Sequence, residues 1–509
     1  MAWKTDVVIA GAGSGGCVLA ARLSELPDLN VLLVEAGPVY LDSRLPADVE
    51  NGRQNSMKAH DWGYRHLPRR PAPRLPMPRG RVLGGSSSVN TCIALRGQPW
   101  DYDEWADLGL TEWGWESCLP WFKRMERDLD FQNAWHGNDG PLPIRRHRPE
   151  ELTPWQAAFL EAAALRGFPA CADSNDPTTT GAGPHAMNKL SGKRISAAIA
   201  WLSPEVRRRP NLRIVGGVTV DRVRWQGRRA CGLDIIVDGE REVIEASEVV
   251  VAAGAIATPG ILLRSGIGHE EDLKRLEVTP RVTRDVGRRL LDHPGTAIFF
   301  EPRREDLCRP DDALIQTVLR YSSAMDGKPN DMLLQPGSKL DVPGLPTMNK
   351  FILMAAVGKP KDVGRLTYTS TDPCERPRID SLFFQSEEDL GKAVEAMEIA
   401  IALSETSPMR SLARPLAPPG LVHHRPRLLR AWVKRFCDSG YHPSGTAMMG
   451  LEADRSAVAD SRGRVFECEG LRIADGSLLP TMTTANIHLS VLMMAERIAD
   501  WMKAALAAT

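Results

Sequence analysis

Two stretches of this chain hold residue types whose spacing could do chemistry. Near the start, Gly11, Gly13 and Gly16 form Gly-x-Gly-x-x-Gly, with Ser14 and Gly15 inside the turn. Such a turn can hold a pyrophosphate. Gly11 permits the tight bend, Gly13 lets the backbone approach the phosphates, and Gly16 lets a helix lie against the strand. Glu35, followed by Ala36, falls where an acid accepts hydrogen bonds from a ribose. Near the end come Tyr441-His442-Pro443-Ser444-Gly445-Thr446 and then Thr484-Ala485-Asn486-Ile487-His488. Histidine titrates near neutrality and can take a proton from a hydroxyl. On residue type alone His442, beside Pro-x-Gly, reads as structural. Asn486 reads as a helix N-cap, and His488 as a surface residue of the first turn.

The elements that must position these residues are legible nearby. The apolar residues 7–10 read as a strand, 17–26 as a helix and 31–34 as a second strand. That order is a dinucleotide-binding unit, which does not choose between NAD and FAD. The helix N-terminus points free N–H groups at the phosphates. Residues 38–78, rich in Pro and Arg, read as a long surface excursion. Its basic cluster (Arg69, Arg70, Arg74, Arg79 and Arg81) could neutralise phosphates or be a solvated loop. The solvated reading is at least as good for all but Arg81. Residues 218–251 alternate apolar runs with turns and read as a strand meander, ending at Ala253 in small residues. Ser386 caps a helix whose Leu390, Val394, Met397 and Ile401 form a core stripe. Residues 348–354 and 365–371 read as strands. A long helix follows Asn486.

Arg79-Gly80-Arg81-Val82-Leu83-Gly84-Gly85-Ser86-Ser87-Ser88-Val89-Asn90 offers backbone N–H groups and small side chains for wrapping a polar ligand. This stretch resembles the second signature of the glucose–methanol–choline (GMC) oxidoreductases, FAD-dependent alcohol oxidases and dehydrogenases. Asp61-Trp62-Gly63-Tyr64 and Thr91-Cys92-Ile93-Ala94-Leu95-Arg96-Gly97 are similar to the family as well. So is the C-terminal order of His442-Pro443-Ser444-Gly445-Thr446, Asp475-Gly476-Ser477 and Asn486-Ile487-His488. The resemblance implies FAD contacts at Trp62, Arg81, Gly84, Gly85, Ser86, Asn90, Thr91, Ala94, Val218, Ala253, Tyr441, Asp475, Gly476 and His488. Val89 stands where some members carry a flavin-linking histidine, which implies non-covalent FAD.

The resemblance further implies an α/β fold. Its Rossmann-like FAD-binding domain (1–137, 181–295 and 436–509) joins a substrate domain with a mainly antiparallel sheet (138–180 and 296–435). The implied reaction oxidises an alcohol to an aldehyde or ketone by hydride transfer to flavin N5. His442 is the base and Asn486 its partner, while His488 and the helix N-terminus stabilise the resulting charge. The pattern looks nearest to members acting on small primary, aryl, furan or choline-like alcohols. O₂, a quinone or a protein carrier remains open as electron acceptor. A hydroxynitrile lyase and a non-catalytic FAD-binding protein remain open as other functions.

At 509 residues, two or three domains are expected. A formal net charge of +0 favours neither nucleic acid nor an anionic membrane. No apolar run suggests a membrane span, and residues 1–6 lead straight into the first strand, so no signal peptide is expected. Nine scattered cysteines without C-x-x-C fit a reducing cytoplasm. No metal site is suggested. His185, His269, His293, His423 and His424 read as surface or ordinary core histidines.

Overall fold

The first strand, Trp3–Ala10, ends in four fully buried residues, Val7 to Ala10. A strand covered on both faces needs such an unbroken apolar run, and this one lies in the middle of a seven-stranded sheet. Val31–Val34 pairs with it in parallel on one side, followed by Leu212–Val215. On the other side runs the long strand Glu240–Val251, also parallel to it. That long strand pairs antiparallel through its first half with Arg229–Val237, which in turn pairs with Val218–Gln226. Its last residues pair in parallel with Leu471–Ile473. The computed structural model describes residues 3–40, 44–56, 58–325, 327–340, 348–416 and 425–507.

Helix Ser14–Leu23 leaves the glycine turn and packs against the C-terminal helix His488–Leu506. A Cβ on Gly15 would lie 2.0 Å from the Ala474 carbonyl oxygen, so only glycine allows this approach.

The second sheet is antiparallel. Its order is Ala413–Pro415, Pro294–Pro302, Phe351–Val357, Met332–Gly337, Thr317–Tyr321 and Gly181–Pro184. Gly181–Pro184 therefore belongs to this sheet, although the sequence division groups residues 181–295 with the other domain. Helices Pro154–Leu165 and Glu387–Ser404 close the sheet's core. Ser386 Oγ accepts from the N–H groups of Glu388 and Asp389, as its sequence predicts. Leu390, Met397 and Ile401 are buried in that core.

Two expectations change. Residues 38–78 are not a plain surface excursion. Tyr64–Leu67 and Leu75–Met77 pair with each other, and Arg378–Asp380 and Arg365–Thr367 complete a four-stranded sheet. Arg70 and Arg74 pair with Asp380 there, and Arg69 donates to the Phe384 carbonyl. The strand expected over 348–354 forms at Phe351–Val357, and that over 365–371 ends at Thr367. No helix among the described residues is long and apolar enough to cross a membrane.

Candidate active site

The parallel strands ending at Ala10, Val34 and Val251 open into one cavity, at the edge where α/β sheets bind ligands. It gathers most of the residues singled out from the sequence. Gly11, Gly13, Ser14, Gly15, Glu35, Ala36, Val218 and Ala253 line one end. Trp62, Gly85, Ser86, Asn90, Thr91, Asp475 and Gly476 line the middle and walls. Tyr441, His442, Asn486 and His488 line it too. Four do not line it. Gly16 lies beneath the turn, where a Cβ would meet the Gly11 oxygen at 2.0 Å. Gly84 donates its N–H to Ala12 O, and Ala94 is fully buried, donating to Ala186 O. Arg81 is exposed, with its guanidinium over the Trp62 ring. Arg79 and Arg264, not Arg81, are the arginines that line it.

Glu35 is 6% exposed, and burial pushes its carboxyl up to about 7 against the pull of its backbone hydrogen bonds. Its oxygens accept from Ala12 N at 3.0 Å and Gly37 N at 2.9 Å. Each oxygen keeps a lone pair for a further donor. Asp475 accepts from Gly254 N, Thr258 Oγ1 and Ser477 N, tying the C-terminal turn to the start of helix Gly254–Arg264.

At the other end, the short strand Asp438–Ser439 pairs with the beginning of Pro294–Pro302. This register carries Asp292 and His293 against the loop that bears His442. Asp292 accepts from the backbone N–H of His442 at 2.9 Å and from the Ser439 hydroxyl. Tyr441 takes φ +64, a strained value for a bulky residue. Both of its backbone groups are held. Its N–H donates to Ser439 Oγ at 2.7 Å, and its carbonyl accepts from Arg79 Nη2 at 2.6 Å.

His293 Nε2 faces two carbonyl oxygens, Thr483 at 2.8 Å and Gly358 at 3.0 Å, so this nitrogen carries the hydrogen. Burial lowers His293 to about 4, leaving the ring neutral with a lone pair on Nδ1. His442 Nδ1 lies 2.9 Å from that lone pair and must donate to it. Burial, reinforced by His293 and Arg79, holds His442 well below the usual histidine range. His442 is therefore neutral, with its lone pair on Nε2. Asn486 Nδ2 donates to that lone pair at 2.9 Å. The run of donors and acceptors also fixes the Asn486 amide orientation.

Three histidine and asparagine readings from the sequence are corrected. His293 is not an ordinary core residue, since it orients His442. Asn486 does not cap the helix. That helix starts at His488 after Ile487, without a side-chain cap. His488 is not on the surface; both ring nitrogens are buried without a partner, and burial lowers it to about 4. His293 lies 149 residues from His442, and the only local signal was an Asp-His-Pro at a strand entrance. His423 and His424 lie outside the described residues.

The cavity suits FAD on its own evidence. Cβ atoms added to Gly13 and Gly254 would project into open space, with nothing nearer than 3.9 Å at Gly13 and nothing within 4 Å at Gly254, so a ligand can meet bare backbone there. Asn486 Oδ1 and the His488 nitrogens are buried polar atoms without a protein partner. The site also has both a phosphate-type glycine turn and a proton acceptor. Among the described residues, one buried His–carboxylate cluster lies elsewhere, at Glu126, Asp128 and His136. Arg96 pairs with Glu126, and Arg146 with Asp128 and Asp173, so the cluster is charge-compensated by protein groups.

The N-terminal GMC oxidoreductase family model matches residues 5–295, and the C-terminal one matches residues 360–495. The chain belongs to the GMC oxidoreductase family. It is 34% identical over 526 residues to 5-(hydroxymethyl)furfural oxidase of Methylovorus sp. (strain MP688), covering 97% of this chain and 98% of that one. It is 31% identical over 532 residues to an oxygen-dependent choline dehydrogenase of Vibrio vulnificus (strain YJ016), covering 97% and 93%. Among solved structures, pyridoxine 4-oxidase from Mesorbium loti superposes with a TM-score of 0.89 at 29% identity, over 98% of this chain and 99% of that one. This GMC-type chain is thus an FAD-dependent alcohol oxidoreductase with a Rossmann-like domain and a sheet-rich substrate domain.

Proposed function

We propose that this protein oxidises a small primary alcohol, aryl, furan or choline-like, to its aldehyde, with His442 as base and Asn486 as its partner. The observation that carries this reading is the lone pair on His442 Nε2, fixed by His293 and facing the same cavity as the glycine turn. An incoming hydroxyl would take the place of the Asn486 N–H at Nε2 and give its proton there, while the released Asn486 Nδ2–H holds the alcohol oxygen. Neutral His442 can accept that proton without first losing one. Bound FAD supplies the hydride acceptor. Gly11, Gly13 and Glu35 would hold its nucleotide half, and Asn90, Thr91 and His488 its ring. The substrates named for the relatives (hydroxymethylfurfural, choline and pyridoxine) support a small alcohol carrying a ring or a cation.

Val89 lines the cavity beside Asn90 and has no nucleophile, which supports dissociable FAD. Acid precipitation should release free flavin; flavin that stays with the pellet would refute this. All nine cysteines are free, which supports a reducing, cytoplasmic setting.

The test is an anaerobic panel of alcohols, reading loss of flavin absorbance, followed by admission of air. Bleaching is expected with at least one small primary alcohol. Rapid recolouring in air marks an oxidase, whereas slow recolouring that a quinone accelerates marks a dehydrogenase. His442→Ala should slow bleaching by two orders of magnitude or more. Normal bleaching in that variant would overturn the assignment of the base.

A further inference from the structure

A second chamber of about 440 Å³ lies where the hairpin around Lys189 meets the segments near His147 and Gln316. Lys189 is 5% exposed and lines it, yet among the described residues its ammonium has no hydrogen-bond or ion-pair partner. Burial depresses its basicity, and Arg194, Arg145 and Arg53 add to the effect while Cys92 opposes it. His147 offers a second unmet donor. The Gln316 amide oxygen accepts from Thr153 N and its nitrogen donates to the Glu151 carbonyl, so that nitrogen also donates to His147 Nδ1 at 3.2 Å. The proton of neutral His147 is then on Nε2, which is buried without a partner.

Among the described residues no carboxylate around the chamber pairs with Lys189, and Glu151 approaches His147 only on its Nδ1 side, at 3.9 Å. Glu151 is engaged by Arg145 and by Arg148 N. Asp312 accepts from Arg309 N, and Asp311 is exposed. Arg146 is taken by Asp128 and Asp173. A buried cation left without a counter-ion is costly, and a built site for an anion offsets that cost.

We infer that this chamber binds a small oxyanion, a carboxylate or phosphate group, on Lys189 Nζ, with the His147 ring and the exposed Arg53 lining the same chamber. The chamber is linked to the first cavity through one backbone bridge. Met187 lines the chamber and bridges Ile93, which lines the first cavity, and Asn188 N donates to Cys92 O. A bound anion therefore steadies the segment that carries Asn90 and Thr91.

The test titrates the FAD-loaded full-length protein with inorganic phosphate and, separately, malonate, by calorimetry at fixed ionic strength. Saturable one-to-one binding of either anion is expected. Lys189→Gln should weaken it at least tenfold, and Lys189→Arg should keep most of it. Binding of phosphate alone, or of malonate alone, supports the site and names the source of the oxyanion. Should Lys189→Gln fail to fold, His147→Phe reads the same site with a threefold or greater loss. Heats that do not saturate with either anion, or an unchanged affinity in the glutamine variant (His147→Phe standing in where that variant does not fold), would overturn the inference.

Discussion

The Nδ1 atoms of His293 and His442 lie 2.9 Å apart, and one must be a donor and the other an acceptor. Because two carbonyls claim the hydrogen on the far side of His293, the shared hydrogen belongs to His442. A residue that does not line the cavity thereby decides which nitrogen of the base carries the lone pair. His293→Ala should slow flavin reduction by about 10- to 100-fold, leaving FAD content near normal. His293→Gln can present an amide oxygen to His442 and an amide N–H to the carbonyls. It should retain clearly more activity than the alanine variant, and equal losses in both would point to a packing role alone. Stopped-flow bleaching of both variants separates these outcomes.

Asn486→Asp replaces the donor facing His442 Nε2 with a carboxylate. A neighbouring negative charge favours imidazolium and raises the histidine. The base form then exists only above the raised value, so reduction should fall at least tenfold at pH 7 and recover as pH rises. The native enzyme, whose His442 is held low, should keep its proton acceptor through neutrality. A pH profile of the bleaching rate for both proteins checks this, and parallel profiles would contradict it.

Two neighbouring glycines should respond differently to alanine. At Gly15 a Cβ meets the Ala474 backbone at 2.0 Å, so Gly15→Ala should destabilise the fold by about 2–3 kcal/mol or more. At Gly13 the nearest atom is 3.9 Å away, and Gly13→Ala should leave the apoprotein within about 0.5 kcal/mol of native. Its FAD affinity should nevertheless fall tenfold or more, because the methyl enters the space of the cofactor. Melting of apoprotein and flavin titration separate the two effects.

His136 sits between Asp173 Oδ2 at 2.7 Å and Glu126 Oε1 at 3.0 Å. Against the cost of burial, these carboxylates raise it to about 9, while Asp173 is lowered to about 2. A raised histidine stabilises fully below its unfolded value near 6.5, and that contribution fades as pH climbs through 9. It amounts to on the order of 3 kcal/mol. The Asp173 contribution is lost only in strong acid. The melting temperature should decline between pH 7 and 9.5, and His136→Gln should flatten that slope. An unchanged slope would refute the coupling.

The nucleotide half of the site was legible because its physics is local. Gly11, Gly13 and Glu35 lie within twenty-five residues, and strand, turn and helix follow from that short text. His442, Asn486 and Asp475 were found through resemblance, since their residue types alone read as structural. His293 was missed because its meaning comes from a strand register that joins Pro294 to Ser439. The choice between Arg79 and Arg81 is likewise tertiary, set by the Tyr441 carbonyl for one and the Trp62 ring for the other. The two strands within 38–78 were hidden by prolines, and their partner at residues 378–380 is about three hundred positions away.

The order of strands in the first sheet sets a schedule for synthesis. The opening strand waits for Glu240–Val251 before its second edge is covered, and Leu471–Ile473 joins only about two hundred residues later. At about 5–20 residues per second, the glycine turn therefore exists for tens of seconds without its walls. The cofactor's grip can be completed only after helix His488–Leu506 emerges, so loading follows that helix, and a chain terminated before it would carry the dinucleotide motif without the means to keep its ligand.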